Sequence, residues 1–137
     1  GNLFISIFFE MNQKNINFKH FAILNAYLLK NVLSKLFSKK IKIKWPNDLM
    51  YNKKKICGIL QEVVSYNDKK FLVVGIGVNT NIDPKNKGFS STSLKKIMEK
   101  NIDNNKVLNN IKNIYEKFLS KAKNYSYLEL KKKYNNI

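Results

Sequence analysis

The centre of the chain carries two strand-like segments, KICGILQEVVSY at residues 55–66 and FLVVGIGVN at residues 71–79. Both are rich in apolar and β-branched residues, a composition that is typical of strands. The four residues between them, NDKK at 67–70, are typical of a hairpin loop. We therefore expect an antiparallel hairpin at the centre of the molecule.

Three of the five glycines, Gly58, Gly75 and Gly77, lie inside these predicted strands. Because side chains alternate along a strand, Gly75 and Gly77 clear the same patch of one face, and Asn79 lies at its edge. A glycine in a strand indicates either a bend with tight packing or the close approach of a ligand, and the pattern leaves both readings open. It is not a dinucleotide fingerprint, because Thr80 stands where the third glycine should be.

The first 50 residues predict a strand, a helix and a second strand. The apolar run at 3–9 predicts a strand covered on both faces, and a polar linker follows at 12–15. Apolar residues recur at helical spacing from Phe18 to Leu36, and alternation at 41–45 predicts a half-buried strand that ends at Pro46. We place residues 47 and 48 at a turn.

The chain changes character after residue 79. Residues 79–93 are rich in Asn, Ser, Gly and Pro and predict a loop, whereas three stretches predict helices: a short one at 93–100, a clear apolar stripe at 107–122, and a last one at 127–134. Helices and antiparallel strands are mixed without a regular βαβ alternation. The fold class we predict is therefore α+β, as a single domain over 137 residues.

The net charge of +17 invites a nucleic-acid function. All 26 basic residues are lysine, however, and asparagine occurs 21 times, which favours a biased, solvated surface. Proteins that read bases rely on the bidentate fork of arginine. The single cysteine, Cys57, excludes an intramolecular disulfide and suits a reducing cytoplasm, and no apolar run is long enough to span a bilayer.

Two groups could carry chemistry at the cleared patch. Asn47 and Asp48 follow a predicted strand, where they could hold Mg²⁺ together with phosphate oxygens or could simply form a turn. Lys55 opens the strand that bears Gly58 and could meet an anionic ligand, yet position alone does not separate it from Lys53 or Lys54.

Taken together, the motifs resemble those of the biotin protein ligases. The resemblance rests on KWPNDL at 44–49, KICGILQE at 55–62 and GIGVNTN at 75–81, with GNLFIS at 1–6 and TSL at 92–94 in the same order. It implies a mixed, largely antiparallel sheet with packed helices, similar to class II aminoacyl-tRNA synthetases and biotin synthetases. It also implies a cytoplasmic ligase that uses ATP and Mg²⁺ to activate biotin as biotinyl-adenylate, and then transfers biotin to a lysine.

The resemblance assigns a role to each matching residue. Lys55 would be the catalytic residue that neutralises the biotin carboxylate and the α-phosphate. ATP and its phosphates would be bound by Asn47, Asp48 and Asn79, and the metal by Asp48 and Asn79. The biotin pocket would be formed by Lys55, Gly58, Ile59, Gly75 and Gly77.

The resemblance also implies partners and a domain organisation. The acceptor would be the biotin carboxyl carrier protein of acetyl-CoA carboxylase, a homodimer is compatible with the family, and neither a specific nucleic acid nor a membrane is expected. We expect residues 1–137 to be a partial catalytic domain, with the family's Gly-Arg-rich biotin loop before Gly1 and a small C-terminal domain after Ile137. The alternatives are an inactive or incomplete ligase remnant and a basic nucleic-acid-binding module without enzymatic activity.

Overall fold

The computed structural model describes residues 1–12, 16–85 and 88–135. The predicted polar linker therefore lies largely outside the described residues. The elements follow in chain order as β1 (Leu3–Glu10), α1 (Phe18–Phe37), β2 (Lys42–Lys44), β3 (Asp48–Tyr51), β4 (Lys54–Tyr66), β5 (Lys69–Val78), α2 (Leu94–Met98), α3 (Asn104–Ala122) and α4 (Tyr127–Asn135).

The strands form one five-stranded sheet in the order β1-β5-β4-β3-β2, and every neighbouring pair is antiparallel. The predicted central hairpin is confirmed as β4 and β5. Its turn is shorter than predicted, because Lys69 and Lys70 already pair with Tyr66 and Ser65. The two turn residues, Asn67 and Asp68, have φ angles of 47° and 60°, the left-handed pair that matches the twist of a tight hairpin.

The helices cover one face of this sheet. The helix α1 begins after Asn17, whose side chain accepts a hydrogen bond from the His20 backbone amide, and it packs against α3, α4 and the sheet. The core contains the apolar sides of α1 and α3 and alternate residues of the strands, such as Leu72, Val74 and Ile76. The α+β prediction and the three larger helices are confirmed. No helix within the described ranges is long and apolar enough to cross a membrane.

Two predictions about strands are wrong. Among the described residues, β1 is covered on one face only, because Phe4 and Phe8 are 79% and 72% exposed on the face that none of the described helices covers. Asp48 does not sit in a plain turn but opens β3, a four-residue strand that sequence reasoning missed. That strand is too short to display a clear alternation, so its pairing with β2 and β4 defines it.

Candidate active site

The open face of the sheet holds a cavity of about 630 Å³ above the strand glycines. Gly58 on β4 pairs with Gly77 on β5, and Gly75 pairs with Leu60, so the three glycines form adjacent positions of one surface. No described glycine has a positive φ angle, so backbone conformation does not explain why glycine stands there. Close packing explains two of them: a Cβ atom would lie 3.3 Å from the Lys55 side chain at Gly58 and 3.3 Å from the Phe4 ring at Gly77. Gly75 stays open toward the cavity, because its Cβ would meet only the Leu60 carbonyl at 3.8 Å, so both readings of strand glycines apply here.

A β-bulge brings Lys55 to this cavity. Lys55 and Gly58 are three residues apart, so strict alternation would place their side chains on opposite faces of β4. Leu49 of β3 pairs with Cys57 of β4, but the next residue, Met50, pairs with Lys55. Ile56 is therefore an extra residue in β4, which forms a β-bulge. Ile56 and Cys57 are consequently both buried in the core, and Lys55 returns to the face of Gly58.

The Lys55 side chain lies flat across Gly58 and ends on Asp48. Its Nζ is 2.7 Å from Asp48 Oδ1, and the two side chains are 26% and 21% exposed. A Cβ atom at Gly58 would lie 3.3 Å from both Cε and Nζ of Lys55. The ring of Phe89 covers the same ammonium, with its centroid 5.0 Å from Nζ. The Lys55 ammonium is therefore held in the cavity by the Asp48 carboxylate and the Phe89 ring, and the end of the side chain packs on Gly58.

Asn47 fixes the position from which Asp48 projects. Its backbone carbonyl accepts from the Ile59 amide at 2.9 Å, and its side-chain Nδ2 donates to the Ile59 carbonyl at 3.1 Å. Asn47 thus makes two hydrogen bonds to the main chain of Ile59 on β4, and it follows the cis peptide bond between Trp45 and Pro46. Asp48 then pairs with Gly58 across the strands and borders the cavity.

Asn79 follows β5 and contacts the same segment of β4. Its backbone amide donates to the Ile56 carbonyl at 2.8 Å, and its Nδ2 lies 3.3 Å from the Lys55 carbonyl and 3.2 Å from the Thr92 carbonyl. Asn79 also borders the cavity, as its position in the sequence pattern predicts.

The structure places most of the predicted site residues on this face, but Ile59 differs from the others. Its side chain is 4% exposed and faces the core, where it pairs with Ile76, so only main-chain atoms of Ile59 can border the cavity. Sequence reasoning missed several residues that line the cavity, which are Phe4, Ser6, Leu60, Pro84, Phe89 and Ser91. Leu60 shares the alternation of Gly58 and could have been found, whereas nothing in the loop sequence points to Phe89.

Few described residues offer ligands for a metal ion at the cavity. Across the described ranges no group of three or more His, Cys, Asp or Glu side chains is placed to hold a metal. Asp48 supplies one carboxylate to the cavity. A Mg²⁺ ion that is bound mainly by substrate phosphates needs only one or two carboxylates from the protein, so the donor set suits Mg²⁺ carried with a nucleotide.

Cys57 lies beneath the site but takes no part in its surface. It is fully buried, and burial raises the pKa of its thiol to about 12. A thiol with such a pKa stays protonated at neutral pH and behaves as a small apolar side chain.

Comparison with known proteins identifies the family of this chain. Residues 1–79 match the biotin/lipoate A/B protein ligase family. The bifunctional ligase/repressor BirA of Escherichia coli is 33% identical over 80 residues, which are 58% of this chain and 25% of that protein. The chain thus spans about a quarter of the length of this curated relative.

Solved structures extend the likeness over nearly the whole chain. The biotin protein ligase from Aquifex aeolicus in complex with biotin and ATP matches with a TM-score of 0.75 and 28% identity, over 95% of this chain and 56% of that one. The biotin protein ligase from Leishmania major in complex with biotinyl-5-AMP matches all of this chain and 61% of that one with a TM-score of 0.75, and its 19% identity bears on the fold alone.

The five-stranded sheet with its packed helices defines an α+β domain similar in fold to the solved biotin protein ligase from Aquifex aeolicus. The chain belongs to the biotin/lipoate A/B protein ligase family. The resemblance to biotin protein ligases is thereby confirmed at the level of family and fold. The nucleic-acid alternative rests on charge and gains no support from these comparisons.

Proposed function

We propose that this chain is the core of a biotin protein ligase catalytic domain, and that Lys55 is its catalytic residue. The observation that carries the proposal is the placement of Lys55: a β-bulge turns it onto the glycine-floored cavity, where Asp48 and Phe89 hold its ammonium. The Aquifex aeolicus relative binds biotin and ATP, which supports the same pair of ligands here.

The proposed reaction has two steps. In the first, a carboxylate oxygen of biotin attacks the α-phosphorus of ATP, the bond to the bridging oxygen of pyrophosphate breaks, and biotinyl-adenylate forms. In the second, a lysine amine of a carrier protein attacks the biotinyl carbonyl, releases AMP and loses a proton. The Lys55 ammonium is suited to the first step, because it brings a positive charge to two anions that must approach each other.

The floor residues have a simpler task. Gly75 exposes the main chain of β5 at the cavity, whereas the Phe4 ring lies over Gly77. The flat ring system of biotin could therefore lie against Gly75, beside the Phe4 ring. Gly58 belongs to the same floor, and Asn47, Asp48 and Asn79 border the part of the cavity next to Lys55. We assign that part to ATP.

Mg²⁺ would be held by Asp48 and by the amide oxygen of Asn79, with most of its ligands supplied by the phosphates. When bound, the ion would offset the negative charge of the triphosphate. The acceptor would be the biotin carboxyl carrier protein of acetyl-CoA carboxylase, in the cytoplasm, with a homodimer as one candidate assembly. We infer that residues 1–137 are part of a larger catalytic domain, because the chain spans little more than half of the similar solved ligase.

The test is biotin-dependent exchange between ATP and pyrophosphate in the presence of Mg²⁺. We expect exchange in the wild-type chain and none in Lys55→Ala, with circular dichroism spectra that are the same for both. Lys54→Ala is the matched control, since Lys54 is an exposed neighbour outside the cavity. Exchange that survives in Lys55→Ala would contradict the assignment, and no exchange in a folded wild-type chain would favour an inactive or incomplete ligase.

A further inference from the structure

Asn79, at the end of β5, makes four hydrogen bonds to two other segments, the start of β4 at Lys55 and Ile56 and the residues 92–94. Its backbone amide and carbonyl bind the Ile56 carbonyl and the Leu94 amide, each at 2.8 Å. Its side-chain Nδ2 lies within hydrogen-bond distance of two further carbonyls, those of Lys55 and Thr92. Two of the four partners, Lys55 and Ile56, are the residues of the β-bulge.

The bulge is also bound by the loop that contains Thr92. The Lys55 amide donates to the Ser90 carbonyl at 2.9 Å, and the Thr92 amide donates to the Lys55 carbonyl at 3.0 Å. Lys55 and Ser91 thereby form a short parallel bridge. Asn79 Nδ2 donates to the Lys55 carbonyl on one side of this bridge and to the Thr92 carbonyl on the other. It therefore ties the loop segment to the bulge.

A bulge needs such support, since an extra residue interrupts the regular ladder of hydrogen bonds. Without the shift of one residue, the Lys55 side chain would point toward the core face of β4 and away from the cavity. The carbonyl of Thr92, a residue that is only 5% exposed, would also lose a donor if Asn79 were truncated.

We propose that Asn79 is a positioning residue for Lys55: through Nδ2 it fixes the β-bulge and the 90–92 loop segment, and so keeps the Lys55 ammonium in the cavity. This inference rests on the proposed function for its effect on biotin, whereas the contact between Asn79 and the bulge stands on the structure alone. The role differs from that of a metal or phosphate ligand, because it needs the amide N–H groups rather than the amide oxygen.

The first arm of the test uses no ligand. In Asn79→Ala we expect the backbone amides of Lys55 and Thr92 to exchange with deuterium at least about tenfold faster than in the wild type, because their hydrogen bonds lose a common anchor. Asn81→Ala is the matched control, since Asn81 makes comparable side-chain bonds to Ile102 and does not contact Lys55. Unchanged exchange at both amides in Asn79→Ala would overturn the proposal.

The second arm measures biotin binding by calorimetry without ATP and without Mg²⁺, where a metal ligand has no effect. We expect Asn79→Ala and Asn79→Asp each to weaken binding about five- to tenfold, and neither to weaken it further when Lys55 is already alanine. Full binding by Asn79→Asp would overturn the proposal, because aspartate keeps the oxygen ligands but loses the N–H donors. If the wild type binds no biotin, the proposed function fails, and the exchange arm still decides the role of Asn79 at the bulge.

Discussion

Gly58→Ala tests whether Gly58 is needed to make room for the Lys55 side chain or only to make room for the ligand. The new Cβ would lie 3.3 Å from Cε and Nζ of Lys55, tighter than an ordinary contact, so the ammonium must move by a few tenths of an ångström. Because the neighbour is the flexible end of a side chain, the fold should tolerate the change. A glycine replaced by alanine at an ordinary φ angle can even raise the free energy of unfolding by about 0.4–1 kcal/mol.

The cost should appear in binding instead. The Lys55 and Asp48 charges, 2.7 Å apart, attract each other by about 6 kcal/mol at an effective dielectric constant of about 20, and by about 5 kcal/mol if they separate by a further ~0.5 Å. A ligand carboxylate that meets the displaced ammonium would lose a similar amount, about 1 kcal/mol, which is about a fivefold change in affinity.

The assay is calorimetric binding of biotin, together with urea unfolding, on Gly58→Ala and on the same change in a Lys55→Ala background. We expect a fivefold loss in the first and no further loss in the second, with unchanged or slightly higher stability in both. Gly88→Ala is the comparison variant, because its Cβ would meet nothing within 4 Å and Gly88 does not line the cavity. A loss that persists without Lys55 would refute the reasoning.

Three further predictions concern the surroundings of the site. Phe89→Leu removes the ring over Lys55 and should weaken biotin binding about two- to fivefold, the size expected for an exposed cation–π contact of about 0.5–1 kcal/mol, and unchanged affinity would exclude that contribution. Cys57 should resist alkylation at pH 8 in the folded chain and react after unfolding. Burial raises the pKa of the Cys57 thiol in the folded chain from 9.0 to about 12. The free energy of unfolding should therefore be unaffected by this thiol below pH 9 and should fall between pH 9 and 12, by up to about 1.4 kcal/mol per pH unit. Urea titrations should show a smaller fall in Cys57→Ala. Tyr115→Phe deletes a buried 2.8 Å hydrogen bond to Asn25 Oδ1 and should lower the free energy of unfolding by about 1–3 kcal/mol, and a change below about 0.5 kcal/mol would contradict the burial of that pair.

Much of the fold could be predicted because its elements have regular periods. The helix α1 and the hairpin of β4 and β5 carry long apolar patterns whose spacing identifies them without tertiary information. The open face of β1 could not be predicted from its apolar run, since whether Phe4 and Phe8 are covered depends on where the helices pack. The short strand β3 owes its existence to its neighbours on both sides.

The site was partly predictable for the same reason. Alternation places Gly75, Gly77 and Asn79 on one face, and the structure agrees. Alternation alone would put Lys55 on the wrong face, and only the bulge at Ile56 brings it to the glycines. A bulge depends on hydrogen bonds from distant segments, here from Asn79 and the 90–92 loop segment, so a local pattern does not reveal it.

The charge of Lys55 in the cavity is central to the proposed function, and its effect on ligand binding can be measured directly. Calorimetry would compare the affinity of the chain for biotin with its affinity for biotin methyl ester, which has the same rings but no carboxylate, in the wild type and in Lys55→Ala. We predict that the wild type binds the acid at least about tenfold more tightly than the ester, and that Lys55→Ala binds the two about equally. A preference for the acid that is the same in both proteins would contradict the central role of Lys55.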